Sequence, residues 1–145
     1  MGMTLEMLEK LKQRLRDEER YRQFPYTDTA GKLTVAYGRN LSDVGISKPE
    51  AEYLLHNDSV RALEGCRERI GFFDQLDDDR QIVLVDMGFN MGIEGLLKFT
   101  GTLAAVKAGN YSLAAERMLD SLWAKQVKSR AEGLADLMRG GSKQT

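Results

Sequence analysis

Residues 21–38, YRQFPYTDTAGKLTVAYG, are the one stretch of this chain with a strand pattern. Phe24-Pro25, Thr27-Asp28-Thr29 and Gly31 are turn chemistry, and Lys32–Gly38 is a short β-branched run that reads as a strand. Tyr21–Tyr26 can pair with it to make a small sheet. Helical periodicity surrounds this island. Leu5, Leu8, Leu11 and Leu15 recur at three and four over residues 3–20, with Thr4 as N-cap. Ser47-Lys48-Pro49-Glu50 is a strong helix start, with Ser at N-cap, Pro early in the first turn and Glu at the capping-box position. Its helix runs to about Arg69 and stops at Gly71.

Asp74 or Asp77 opens a helix that is apolar nearly all round from Ile82 to Met91, as a buried central helix would be. Gly92 and Gly95 break it. Further helices are expected to about Ala108, from Ser112 to about Trp123, and from about Lys128 to Met138, before Gly140-Gly141 and a polar tail. The fold class is α+β, mostly α: a small α/β N-terminal lobe, a long connecting helix and a helical C-terminal lobe.

Composition narrows the function. Hydrophobic content of 42% with 30% charged residues belongs to a globular domain. The single Cys66 excludes an intrachain disulfide, and with a lone His56 it cannot build a His/Cys zinc site. No metal or organic cofactor is implied. Residues 50–97 carry four Lys/Arg against eleven Asp/Glu, and residues 98–145 eight against four. That basic excess is too small to argue for nucleic acid. The charged, amphipathic first twenty residues do not read as a cleavable signal, and no run of 18 apolar residues can span a membrane. Synthesis in a host cytoplasm is therefore expected, and no surplus apolar stripe points away from a monomer.

Glu19 closes the first helix, Asp28 lies in the turn and Thr34 on the strand. Taken singly, each is an ordinary surface residue. Together, two separated carboxylates with a hydroxyl near one of them suit general acid/base hydrolysis of a sugar–sugar bond. The negative end of the helix dipole makes ionising Glu19 costlier. A turn carboxylate such as Asp28 can accept backbone N–H bonds that favour its charged form.

The run Glu19–x8–Asp28–x5–Thr34 resembles the Glu/Asp/Thr triad of the phage-type lysozymes, glycoside hydrolase family 24. Ile46–Glu52 is similar to the start of that family's interlobe helix, and Met87–Gly92 with Phe99-Thr100 to its central helix. Trp123, Gln126 and Arg130-Ala131 fit its C-terminal pattern. The resemblance implies one lysozyme-like domain over residues 1–145. Its N-terminal lobe covers about 15–46, its connecting helix about 47–70 and its C-terminal lobe about 71–140, with the N-terminal helix packed on the last. It implies a muramidase with Glu19 as general acid, Asp28 positioning or deprotonating the attacking water, Thr34 holding that water and Arg130 pairing with Glu19. Asn40, Leu41, Phe89, Thr102 and Arg117 fall at substrate-binding positions. Peptidoglycan strands would be the partner, with inversion at the anomeric carbon and a holin releasing the enzyme to the cell wall.

Two features depart from the family. Arg39 stands where a His is common, with Asp58 as its expected partner, and the loop Asn40–Gly45 is short. A lytic transglycosylase and a non-catalytic glycan-binding protein remain as alternatives.

Overall fold

The computed structural model describes residues 2–140, so the polar tail from Gly141 lies outside the described residues. Its elements in chain order are α1 (Leu5–Glu19), β1 (Arg22–Thr27), β2 (Leu33–Ala36), β3 (Arg39–Asn40), α2 (Lys48–Arg69), a 3-10 turn (Phe73–Gln75), α3 (Asp78–Leu97), α4 (Thr100–Lys107), α5 (Tyr111–Leu119), α6 (Leu122–Val127) and α7 (Ser129–Arg139). This is the expected α+β class, with all described strand confined to residues 22–40. Two compact units divide the chain, the first ending at Tyr53 and the second beginning at Leu54, inside α2. Among the described residues no helix is long and apolar enough to cross a membrane.

In the first unit, Thr4 Oγ1 accepts from Met7 N at 3.1 Å and starts α1. The helix ends at Arg20, which turns left-handed at φ 60° while its N–H closes on the Arg16 carbonyl. None of the α1 residues is buried. The sheet order is β1-β2-β3, antiparallel throughout, with Tyr26 opposite Thr34 and Thr34 opposite Asn40. The expected strand Lys32–Gly38 is thus shorter. It stops at Ala36 (φ 60°), reverses through Tyr37 and Gly38 (φ 75°) and returns as β3. Left-handed backbone at those two positions cannot continue a strand.

Arg39 on β3 grips the first turn of α2. Its guanidinium donates to the Gly45 carbonyl at 3.0 Å and to both carboxylate oxygens of Glu50. This corrects the expected Arg39–Asp58 pair, since Asp58 instead accepts from Arg61 at 2.9 Å. The reason is local. Glu50 is held by the capping box, where Ser47 N donates to its Oε1 at 2.8 Å, so its carboxylate is already placed for a planar two-pronged partner. The Arg39 hydrogen bond, then those from Ser47, lower the Glu50 carboxyl to about 2. A carboxyl with a depressed folded value contributes stability above its unfolded value, near 4.5, and loses it as pH falls through about 2. Melting wild type and Glu50→Gln side by side should therefore give a constant gap in Tm above about pH 5, shrinking towards zero near pH 2.

The second unit packs around α3. Val83, Leu84, Met87 and Leu96 are buried on it, with Ala114, Ala115 and Met118 of α5 and Ala131, Ala135 and Met138 of α7 in the same core. Alanines at these positions permit close helix approach. Ile82 and Phe89 are exposed, so α3 is one-sided where an apolar run suggested burial all round. Its expected break at Gly92 is a kink (φ 80°, ψ 157°), and the helix resumes to Leu97.

The single helix expected from Ser112 to Trp123 is two helices. Asn110 caps α5, its Oδ1 accepting from Leu113 N at 3.2 Å. Ser121 caps α6, accepting from Ala124 N at 3.1 Å while its hydroxyl donates to Met118 O at 2.7 Å. A serine that satisfies groups on both sides of a break stabilises the break. The C-terminal helix is fastened by Arg80, which donates from Nε to Met138 O at 2.8 Å and stacks 3.9 Å from the Tyr111 ring centre.

Cys66 is fully buried in this core, and burial pushes its thiol up to about 11. Ellman's reagent at pH 8 should leave the native protein unlabelled and report one thiol per chain once guanidinium unfolds it.

Candidate active site

Three of the residues singled out from sequence lie together on the small sheet and the helix leading into it. Asp28 follows the end of β1. Its Oδ1 accepts from Ala30 N at 2.9 Å and from Lys32 N at 2.8 Å, and its own N–H donates to Lys32 O at 2.9 Å. The Thr27-Asp28-Thr29 turn exists because this carboxylate organises it. Both amides converge on one oxygen, Oδ1.

Thr34 sits on the central strand and is only 4% exposed. Its hydroxyl donates to Lys32 O at 3.0 Å. Lys32 thus links the two residues, with its amide on Asp28 and its carbonyl under Thr34.

Glu19 is the last residue of α1, and its side chain lies flat against the β2–β3 turn. A Cβ built on Gly38 would fall 2.7 Å from Glu19 Oε2 and 2.9 Å from its Cδ. The chain leaves α1 so that Tyr21 stacks on Tyr37, ring centres 5.7 Å apart.

Asn40 and Leu41 belong to the same unit, but the Asn40 amide is spent locally. Its Nδ2 donates to Asp43 Oδ2 at 2.9 Å and its Oδ1 accepts from Asp43 N at 3.0 Å. Leu41 N donates to Leu33 O at 2.7 Å. These bonds, with Lys32 Nζ on Asp43 at 3.1 Å, knit the short loop shut.

The remaining candidates lie in the second unit. A groove of about 650 Å³ runs between α2 and α3, walled by Val60, Leu63, Ile82 and Val85, with Phe89, Asp86 and Arg130 among its lining residues. Arg130 donates from Nε (2.9 Å) and Nη2 (2.6 Å) to Asp86 Oδ1. Asp86 is therefore the partner of Arg130 within the second unit. An acid interrupting the apolar run Ile82–Met87 was the available signal for it.

Thr102 is 2% exposed on the inner face of α4 with Ala105 and Val106, which corrects its reading as a sugar contact to a core position. Arg117 is exposed on α5, its side chain running over Gly101. One turn beyond Asp86, Asn90 Oδ1 accepts from Trp123 Nε1 at 2.7 Å, a bond sequence reasoning missed. Among the described residues no group of three or more His, Cys, Asp or Glu is placed to hold a metal ion.

A helix-borne glutamate, a turn-held aspartate and a strand threonine in one unit, followed along the chain by a helical unit, are the parts of a lysozyme-like fold. The phage lysozyme family pattern matches residues 16–139, and the chain belongs to that family.

The probable T4-type lysozyme 2 of Dictyostelium discoideum is 22% identical over 165 residues, covering 94% of this chain and 97% of its own length. Probable T4-type lysozyme 1 of the same organism is 24% identical over 100 residues, covering 67% of this chain and 59% of that protein. The pre-baseplate central spike protein Gp5 of Enterobacteria phage T4 is 38% identical over 63 residues, which are 43% of this chain and 11% of the spike protein. The chain thus matches only a small part of the spike protein.

Proposed function

We propose that this chain is a muramidase that hydrolyses the β-1,4 bond between N-acetylmuramic acid and N-acetylglucosamine in peptidoglycan. One observation carries the reading: Asp28 is fixed by two main-chain amides, one of them from Lys32, whose carbonyl accepts the Thr34 hydroxyl. Family membership and the similarity to the probable T4-type lysozymes support it.

In this mechanism a water donates one hydrogen to Thr34 Oγ1 and the other towards Asp28 Oδ2. Its free lone pair attacks the anomeric carbon, and Asp28 takes the proton released. The bond to the leaving oxygen breaks as the protonated Glu19 carboxyl donates its proton there. Attack from the face opposite the leaving group inverts the configuration. The exposed Phe89 and Arg117 supply an apolar face and a cation for the sugar chain. The Asp86–Arg130 pair holds the guanidinium at the rim of the groove. Release to the cell wall by a holin, for lysis of a host cell, completes the proposal.

Product analysis on purified peptidoglycan tests it. Muropeptides with free reducing ends, formed initially as the inverted anomer, are the expected result. Products ending in 1,6-anhydro sugars would instead mean a lytic transglycosylase, for which Asp28 and Thr34 have no use. A folded protein that cleaves none of several peptidoglycan types would overturn the enzyme in favour of a glycan-binding role.

A further inference from the structure

Glu19 reaches its working position across a glycine, and that contact goes beyond the three residues of the proposed reaction. A Cβ at Gly38 would meet Glu19 Oε2 at 2.7 Å, Cδ at 2.9 Å and Cγ at 3.2 Å, so the whole outer half of the side chain rests on the glycine α-carbon. Gly31, Gly92 and Gly109 are also left-handed, and a Cβ there would meet nothing within 4 Å. Gly45, at φ 68°, would meet nothing within 4 Å.

Both sides of the contact are tied down by a short circuit of chain. Two residues after Glu19, the Tyr21 ring packs on Tyr37, which immediately precedes Gly38. The next residue, Arg22, is registered opposite Ala36 in the sheet. An exposed glutamate at a helix end normally samples several rotamers. Here the floor beneath it is built and its height is fixed.

We propose that Gly38 is a positioning residue for Glu19, with the Tyr21–Tyr37 pair holding the floor in register. The turn sets where the Glu19 carboxyl stands and so its reach to the glycosidic oxygen. General-acid transfer needs heavy atoms within hydrogen-bond distance, and a displacement of about 1 Å can cost about a hundredfold in rate. The inference rests on the muramidase reading for its rate effect, but not for its geometry.

The test compares Gly38→Ala with Gly45→Ala. Both place a methyl group at a left-handed φ, and only the first adds an atom beneath Glu19. Soluble glycan strands from peptidoglycan give kcat and KM, and the Glu19 carboxyl carbon is followed by NMR, assigned through Glu19→Gln. Similar losses of Tm are expected in both. In Gly38→Ala, kcat should fall about a hundredfold with KM within about threefold, and the Glu19 resonance should move. Gly45→Ala should leave kcat within about twofold and the resonance in place.

Equal kcat values, or a Glu19 resonance unmoved in Gly38→Ala, would overturn the proposal. If Gly38→Ala does not fold, Tyr37→Leu decides. It adds nothing under Glu19 but frees the floor, and an unmoved resonance there rejects the positioning role. A wild type that cleaves no glycan would sink the muramidase reading alone, because the resonance still reports whether Gly38 sets Glu19.

Discussion

An Asp28→Asn variant should fold like the wild type and cleave peptidoglycan about 10²–10⁴-fold more slowly. The substitution separates two jobs that one side chain performs. Oδ1 of Asp28 organises the turn by accepting from Ala30 N and Lys32 N, and an asparagine oxygen can accept the same two bonds. The charge is lost, and with it the capacity to take a proton from water. Reducing ends released per minute, set beside a thermal melt, tell the two jobs apart. Asp28→Ala should lose the turn as well and melt earlier. A rate for Asp28→Asn within tenfold of wild type would remove Asp28 from the reaction. Glu19→Gln should show a loss of similar size. The double variant should be little slower than either single one, because the two carboxyls act in one step.

The largest loss of stability is expected from Trp123→Ala, about 3–5 kcal/mol. Trp123 is 8% exposed, stacks edge-on against Phe99 with ring centres 5.9 Å apart, and donates from Nε1 to Asn90 Oδ1. Truncation leaves a cavity between α6 and the end of α3 and frees the Asn90 acceptor. For a unit of this size the midpoint should fall by more than roughly 10 °C, read by circular dichroism. Trp123→Phe keeps most of the ring contact and loses only the hydrogen bond, so its cost should be about 1 kcal/mol. Equal costs for the two variants would mean that the bond, and not the packing, holds α6 in place.

What could be read from the residues was what is encoded locally. Thr4 and Ser47 announced their helices because a cap needs only a hydroxyl and amides three residues on. The places of Glu19 at a helix end, Asp28 in a turn and Thr34 on a strand were legible because these three elements follow one another within sixteen residues. The misreadings share a different cause. Arg39 chose Glu50 over Asp58 because the capping box had already oriented Glu50, a preference set by geometry and not by charge. Thr102 has a side chain small enough for a core, and only the packed α4 decides which way it faces. The break between α5 and α6 turns on Ser121 serving both helix ends at once, which helical periodicity does not reveal. Asp86 escaped notice because its partner Arg130 lies 44 residues away along the chain.

The cradle of Asp28 has a consequence for how such a protein can diverge. Its donors are the main-chain amides of Ala30 and Lys32, and every amino acid except proline presents the same amide. Mutational drift at positions 30 and 32 is therefore silent to the acid they hold, so long as the chain keeps its course. A lineage could rewrite this turn almost wholly and inherit the same anchored carboxylate. A saturation library over the two positions should tolerate nearly every residue and reject proline at both.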